Sequence, residues 1–583
     1  MRTITLTAML ALTGTLFAAD LSAVTSAKAE PPAPSWIGFR GSEGTGVWPT
    51  AKPPSTWDGA TDKNIRWKTP LANWGLGQPL VLKGKVFVMS EPGWKHDWPL
   101  LQCFDTATGK LAWEKELNSL DIYPDLAAPE KAELKTILAG YHEFNRKWYT
   151  AHFEFELQTP EGRAKGMKLL AELGLLPADA QAPNTFAEAL KMPGYSEKAD
   201  AAGKRWGKLG KIGWRPETWH TAGYASGLMC IGYTFPTPVT DGERIYIATA
   251  YDTFWCFDLD GKMIWGTPSP GSTSGDFCNR AKSPILYKNL MISDLGDRIR
   301  FIDKTNGKVL FMAQTNKGGH GMATTPVIIR VAETDIVLCA GKDDLGGLSE
   351  IFAFRLPDGK AIPVKGWQNP GGSMLVKYDA KDTVFFIGGG EHGGWEKKAG
   401  GKTPIPGVVP PPAAVKFALK DDTLNATVLW SGIEGGGQSK GHCGILYHDG
   451  KFHVNGLLLD ANTGKILAGT PGSRNPGASA RGNHMQIANG LIYGLTSDGT
   501  NGKMEVFSLD GKSVATNQVP SAKVEGEKRD QINAQNKMAY GPGDKSDRSI
   551  VAWRWFSYSC PFTIHDDSIL IRSNDELWCI GVK

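Results

Sequence analysis

The sequence is poor in charged residues and has no block of a single charge. Charged residues make up 21% of its 583 residues, the formal net charge is +4, and lysine and arginine are scattered along the chain. Proteins that bind nucleic acid or anionic membrane surfaces usually carry a concentrated basic patch. We therefore expect neither nucleic acid nor an anionic membrane surface as a partner.

Long apolar runs are missing except near the N-terminus. Residues 4–19 form an apolar run after Arg2, and Ala27-Lys28-Ala29 fits a small-x-small cleavage site. This arrangement is typical of a secretory signal peptide, so we predict that residues 1–29 are removed and that the protein is exported, as a periplasmic or secreted protein. The alternative is a retained membrane anchor, although the run is short for a span of about 20 residues. No other run in the sequence is apolar enough for stable membrane insertion.

The eight cysteines include no CxxC motif and no adjacent pair. The zinc and redox motifs that depend on CxxC spacing are therefore absent. Cys103, Cys256 and Cys579 share one position of a repeat described below, where other copies carry phenylalanine, alanine, leucine or valine. A position that accepts these side chains is a packed core position, so we predict buried free thiols there. The alternative is disulfide pairing after export.

Glycine and tryptophan are plentiful, with 70 and 20 residues, and they recur in one pattern. In this pattern, apolar residues are followed by a turn that carries an acidic or polar residue. A Gly-Lys pair ends the turn, and a large apolar residue follows the pair. Apolar alternation precedes each copy, so each unit is predicted to be four short strands joined by turns. Four-stranded units repeated about every 45 residues are typical of a β-propeller. The copies are at 104–113, 257–265, 302–311, 354–362, 459–468 and 507–515, with a degraded copy at 417–430 and a truncated one at 577–582.

These repeats predict an all-β fold, an eight-bladed β-propeller. The eighth unit lacks a fourth strand, and NIRWKTPL at 64–71 is predicted to supply it and to close the ring without a free edge. Seven blades are the alternative, because the fifth copy is weak. The large residue after the repeat glycine (Trp113, Trp265, Phe311) is expected to wedge between neighbouring blades.

A long insertion interrupts the repeats between the first and second blades. Its apolar spacing predicts helices at 132–149, 162–176 and 184–190, the last with Asn184 as N-cap. Because the insertion follows a fourth strand, we expect it at the end of the propeller where the first strand of each blade begins, which we call the top face. The predicted organisation is a signal peptide (1–29), the closing strand with the first blade (30–117), a helical insertion or lid (118–227) and the remaining blades (228–583).

The repeat, with WIGFRGSEGTG at 36–46 and NIRWK at 64–68, resembles the pyrroloquinoline-quinone-like (quinoprotein-like) β-propeller repeat family. The resemblance covers residues 36–117 and 228–583 and implies the propeller fold. The family includes quinoprotein dehydrogenases and also propellers that bind no quinone, so the cofactor stays open. Its dehydrogenases stack an adjacent Cys–Cys ring on pyrroloquinoline quinone (PQQ) and hold Ca²⁺ through Glu, Asn and Asp. The lack of adjacent cysteines here argues against PQQ and Ca²⁺.

Long loops are also predicted to converge on the top face, and they carry the candidate site residues. His320, His442 and His484 each stand at the start of a blade, so their imidazoles are expected at the channel mouth, with Glu391 and His392 in a nearby loop. Imidazoles with a carboxylate suit a divalent transition metal, and imidazoles also serve as acid–base groups. The alternative is that these side chains only hydrogen-bond the wall of a wet channel.

Aromatic residues occur in the same loops. Trp94, Trp98 and Trp395 are candidates for stacking on a sugar or a flat cofactor, and packing against apolar neighbours is the alternative. We predict a binding protein or scaffold whose top face takes a small molecule, a glycan or a protein partner. The alternative is an enzyme that uses the same pocket: a quinoprotein-type oxidoreductase with a divergent site, or a metal- or His-dependent carbohydrate-active enzyme.

Overall fold

The structure is a computed structural model of the whole chain. The residues it describes are 37–59, 61–72, 75, 77–90, 98–123, 125–212, 234, 236–249, 252–269, 282–315, 325–342, 349–367, 373–378, 382–388, 395–398, 401–404, 412–432, 445–454, 457–469, 484–497, 502–518, 562–572 and 576–582.

Eight antiparallel sheets form the blades of a β-propeller, as the repeats predict. The strands before the first blade are β1 (Ile37–Gly38), β2 (Gly41–Ser42), β3 (Val47–Trp48) and β4 (Ile65–Pro70). Blades 1 and 2 are β5 (Leu80–Leu82), β6 (Lys85–Ser90), β7 (Leu100–Asp105), β8 (Leu111–Glu116), β9 (Val239–Thr240), β10 (Ile245–Thr249), β11 (Thr253–Phe257) and β12 (Met263–Pro268). Blades 3 and 4 are β13 (Ile285–Tyr287), β14 (Leu290–Leu295), β15 (Arg298–Asp303), β16 (Val309–Gln314), β17 (Val327–Val331), β18 (Thr334–Lys342), β19 (Ser349–Arg355) and β20 (Ala361–Ile362).

The remaining blades include the one with the degraded repeat. Blade 5 is β22 (Ser373–Tyr378), β23 (Thr383–Gly388), β26 (Ala413–Lys420) and β27 (Thr423–Ser431), with β21 (Val364–Lys365) parallel to β27 and a separate hairpin of β24 (Trp395–Lys398) and β25 (Gly401–Pro404). Blades 6 to 8 are β28 (Ile445–His448), β29 (Lys451–Val454), β30 (Leu457–Asp460), β31 (Ile466–Ala468), β32 (His484–Ala488), β33 (Leu491–Ser497), β34 (Gly502–Ser508), β35 (Ser513–Gln518), β36 (Phe562–His565), β37 (Ser568–Arg572) and β38 (Glu576–Gly581), completed by β4. The weak fifth copy is therefore a full blade, and the seven-blade alternative is wrong.

The predicted closure of the ring is confirmed, because β4 pairs antiparallel with β38 as the fourth strand of blade 8. The predicted wedging of large residues is also confirmed. A Cβ added to Gly109, Gly261 or Gly307 would lie under 3 Å from Trp67, Trp113 or Trp265 of the preceding blade, so each indole lies directly against the next blade's turn.

The cysteine prediction is confirmed as well. Cys103, Cys256 and Cys579 are buried free thiols, each at the step where the third and fourth strands shift register. Cys339, which lies on β18, the second strand of blade 4, is a fourth buried free thiol.

The insertion is helical and lies on the top face. Its helices are α1 (Ala128–Glu156), α2 (Pro160–Glu172), α3 (Phe186–Ala189) and α4 (Tyr195–Arg205), with short 3₁₀ turns at Ser119–Ile122 and Gly207–Ile212. The Asn184 cap is wrong: Thr185 caps α3 and Glu188 completes a capping box, because only the Thr185 hydroxyl reaches the amide of Glu188. The helix α4 was not predicted.

The insertion has its own apolar core and is joined to the propeller at blades 1 and 2. Its core contains Trp98 from the loop between β6 and β7, together with Leu120 and residues of the four helices. Ile122 packs with Trp255 of blade 2. None of the described helices is long and apolar enough to cross a membrane.

Candidate functional site

Only three of the candidate site residues lie among the residues that the structure describes. His484 is the first residue of β32, at the top end of the inner strand of blade 7. Trp395 begins β24, in the hairpin between the second and third strands of blade 5. Trp98 is 7% exposed, because its side chain packs against the other residues of the insertion's apolar core. The other candidates, His320, His442, Glu391, His392 and Trp94, lie outside the described residues.

A belt of polar side chains joins the top ends of the inner strands. The backbone N–H of Gln78 donates to the Thr237 hydroxyl at 3.1 Å, and the N–H of Thr237 donates to the Ser283 hydroxyl at 3.0 Å. The N–H of Ser283 donates in turn to Thr325 at 3.3 Å. The Gln78 amide also donates to the Thr563 hydroxyl of blade 8 at 3.1 Å. Each of these side chains therefore satisfies a buried group of a neighbouring blade.

A short sequence motif marks the belt residues, but this role was not predicted for it. Gln78, Thr237, Ser283 and Thr325 each stand directly before a proline, two residues before the inner strand of their blade. The proline has no N–H of its own. The residue before it is held extended, which places its side chain against the adjacent blade.

An N-terminal segment, residues 37–52, crosses the channel, and we call it the strap. Ile37 pairs with Thr240, at the bottom end of the inner strand of blade 2. Val47 pairs in parallel with Ile487 of blade 7. The N–H of Lys52 donates to the backbone oxygen of Asp566 of blade 8 at 2.6 Å. Both ends of the strap therefore lie at the bottom of the channel.

Arg40 fixes the centre of the strap. Its backbone N–H donates to the Gln78 side-chain oxygen at 2.8 Å, and its guanidinium donates to the backbone oxygen of Ile445 in blade 6. Blade 6 is opposite blade 2 in an eight-membered ring, so the strap spans the full width of the channel. Arg40 is 4% exposed, and its contact with Gln78 brings the strap up to the level of the belt.

Two strap glycines allow this close packing. A Cβ on Gly46 would lie 2.6 Å from Leu446 of blade 6, and one on Gly41 would lie 2.5 Å from Trp48. Both glycines also have positive φ, a conformation that other residues adopt only at a cost. The spacing of glycines in WIGFRGSEGTG therefore follows from the shape of the channel.

Buried charges join blades 2 and 3 at the top end. The Lys282 ammonium donates to Asp294 at 2.5 Å, with both side chains fully buried, and the Thr315 hydroxyl donates to the second Asp294 oxygen at 2.6 Å. Arg300 is also fully buried, and its Nε donates to the Ser269 hydroxyl at 2.9 Å. These groups are paired within the protein, so they serve the packing of the blades.

The described residues do not fit the cofactors that the resemblance allows. They contain no group of three His, Cys, Asp or Glu side chains that could hold a metal ion. The described cysteines lie buried on separate strands, and the sequence has no adjacent pair to stack on a quinone. The described residues thus provide no cluster of three such ligands and no adjacent cysteine pair.

This topology defines the class of the protein: an eight-bladed β-propeller with a helical insertion on top and an N-terminal segment that crosses the channel. A family profile described as "Outer membrane protein assembly factor BamB" matches residues 55–141 and 207–370. No curated protein gives a significant match. The profile match and the blade topology support the resemblance to PQQ-like β-propellers that the repeats indicate.

The similar solved structures include a BamB protein and two dehydrogenases. BamB from Moraxella catarrhalis is 12% identical, with 58% of this chain and 79% of that chain covered and a TM-score of 0.34. Quinohemoprotein alcohol dehydrogenase from Comamonas testosteroni is 11% identical over 91% and 78%, with a TM-score of 0.39. A europium-containing methanol dehydrogenase is 12% identical over 92% and 96%, with a TM-score of 0.39. These values are too low to transfer an activity to this chain.

Proposed function

We propose that the protein binds a small molecule, a glycan or a protein partner at the channel mouth on its top face. One observation carries this proposal: the helical insertion is joined to blades 1 and 2 at the top end of the ring, whereas both ends of the strap pair at the bottom end. Binding sites favour concave mouths framed by long connections on a rigid scaffold.

The proposed binding residues are His320, His442 and His484. The position of His484 at the top end of an inner strand supports this assignment, and the positions of the other two in the sequence repeat place them before equivalent strands. We propose that these imidazoles donate and accept hydrogen bonds to the bound molecule. Glu391 and His392 are proposed as neighbours of this group, and Trp395 as a stacking residue at its rim.

A binding screen with matched histidine variants tests the proposal. The probes are an immobilised oligosaccharide panel and Zn²⁺, each applied to the purified protein. The variant carries alanine at His320, His442 and His484; its control carries alanine at His448 and His565, which end inner strands at the bottom. We expect the top variant alone to lose binding. Equal binding by both variants would remove the three histidines from any role.

The same preparation tests the enzyme alternative. A visible absorption band from a bound quinone, or stoichiometric metal lost in the top variant, would favour an oxidoreductase or a metal-dependent enzyme over a binding scaffold. We further propose that the protein is exported, since residues 1–29 have the pattern of a signal peptide. N-terminal sequencing of the secreted or periplasmic protein should begin near Glu30; an unprocessed N-terminus would contradict export by this route.

A further inference from the structure

We infer that the channel is a binding groove for a polypeptide segment, and that this protein occupies it with its own residues 37–52, while the following residues 53–57 pack on blade 7. The inference does not depend on the function proposed for the top face. It concerns the WIGFRGSEGTG motif, which carries the family resemblance but has no role in the top-face proposal.

Main-chain pairing with two separate blades of the channel wall is the first observation. Ile37 adds to the edge of β9 in blade 2, and Val47 and Trp48 add in parallel to the edge of β32 in blade 7. The N–H of Ile487 donates to the backbone oxygen of Gly46 at 2.8 Å. Inner strands are sheet edges that need a partner, and adding a strand to an edge is a general way to bind an extended peptide.

Side-chain anchors give this groove its selectivity. The guanidinium of Arg40 donates to Ile445 on blade 6, and the indole of Trp48 donates to the Gln486 side chain at 2.6 Å. Gln486 is fully buried and also donates to the backbone oxygen of Phe562 at 2.8 Å. The groove therefore binds one cationic side chain and one indole at a fixed spacing, and three of the seven residues between them are glycine.

A second set of contacts holds the C-terminal end of the segment on blade 7. The backbone N–H of Trp57 donates to the side-chain oxygen of Asn517 at 2.9 Å, and its indole donates to the backbone oxygen of Gln518 at 3.1 Å. The hydroxyl of Tyr493 donates to Pro53 at 3.1 Å.

The segment is joined to the rest of the ring through one exposed turn. Asp58 and Lys63 bridge this turn, both are exposed, and β4 starts two residues later. A cut in this turn leaves the described residues 37–57 held by their non-covalent contacts with the channel and with blade 7. The segment is thus organised as a ligand tethered to its groove.

A nicked protein tests the inference. A protease site is placed in the turn between Asp58 and Lys63 of the full chain, and the folded protein is cleaved. A fluorescent synthetic peptide of residues 37–58 is then added in excess, and its exchange is followed by anisotropy. We expect stoichiometric exchange with the blades still folded. Release of the native fragment without rebinding of the peptide would overturn the inference, as would retention of the fragment without exchange until the protein unfolds.

Variant peptides test the anchors. A peptide with Arg40→Ala should bind roughly tenfold more weakly or worse, because a charge-assisted hydrogen bond is lost. A peptide with Thr50→Ala is the control, since Thr50 is exposed, and it should bind unchanged. Equal binding by both peptides would contradict the assigned groove.

Hydrogen exchange on the uncut chain gives a readout that does not need the nick. In the Arg40→Ala protein, we expect faster exchange at the amides of β32, whose Ile487 N–H donates to the strap. The amides of β13 in blade 3 are the internal reference, because the described strap residues make no pairing with that strand. Unchanged exchange in β32 would overturn the role given to Arg40.

Discussion

The indole of Trp67 lies against Gly109, and its Nε1 donates to the backbone oxygen of Thr106 at 2.9 Å. Trp67 belongs to β4, the fourth strand of blade 8, and Gly109 belongs to the last turn of blade 1. This contact therefore closes the ring between its last and first blades. It repeats the contact that Trp113 makes with Gly261 between blades 1 and 2.

Removing the closing indole should destabilise the whole ring. Trp67 is 9% exposed, and Trp67→Ala should lower the free energy of unfolding by roughly 3–5 kcal/mol, the usual cost of truncating a buried tryptophan. Chemical denaturation measures the change. Leu111→Ala is the control, because Leu111 is 51% exposed. Equal denaturation midpoints for the two variants would show that the contact does not hold the ring.

The buried pair of Lys282 and Asp294 should be costly to break from one side. Lys282→Met leaves a carboxylate without its cation in a site with no solvent exposure, so a loss of about 3–5 kcal/mol in unfolding free energy is expected. The double variant Lys282→Met/Asp294→Leu should recover part of that loss, because no unpaired charge remains. A double variant less stable than the single one would contradict this account.

Acidification should destabilise blade 6 through His453. Burial, with smaller contributions from His448 and Lys451, lowers the pKa of His453 to about 4. The unfolded chain, with a pKa near 6.5, binds a proton first as the pH falls, so this stability is present above about pH 6.5 and is lost towards pH 4. The loss amounts to roughly 3 kcal/mol.

The pH dependence should disappear with the imidazole. His453→Leu should flatten the fall in unfolding free energy between pH 6.5 and 4, measured by denaturation at each pH. His565→Ala, a half-exposed histidine of blade 8, serves as the control and should keep the wild-type slope. A His453→Leu protein with the same slope as wild type would assign the dependence to other groups.

The four described thiols should be inert in the folded protein. Burial raises the pKa of Cys103 and Cys256 to about 12 and that of Cys579 to about 11, and it raises the pKa of Cys339 well above its usual value. The reactive thiolate is therefore scarce at neutral pH. Peptide mass spectrometry after alkylation at pH 8 should find these four unmodified until denaturant is added; modification in the native state would contradict their burial.

Much of the propeller was predictable because each blade is built from neighbours in sequence. Hairpin turns join strands that pair directly, so alternation and turn residues identify them without distant information. The ring closure was predictable for the same kind of reason, since the last repeat lacked a strand and β4 carried its pattern. Among the helices, α4 has so many polar residues that its sequence resembles a loop. At the start of α3, Asn184 and Thr185 both favour caps, so the sequence alone does not distinguish them.

The repeat pattern by itself predicted the propeller, the buried thiols and the wedging residues, because these depend on periodic packing that most copies express, whereas the structure decided between seven and eight blades. Tertiary structure alone decided that the N-terminal segment crosses the channel from blade 2 to blade 6, and that Lys282 pairs with Asp294. Arg40 and Ile445 are 405 positions apart in the chain. Such contacts occur once rather than in every repeat, and no local pattern specifies which partners meet when the ring closes around them.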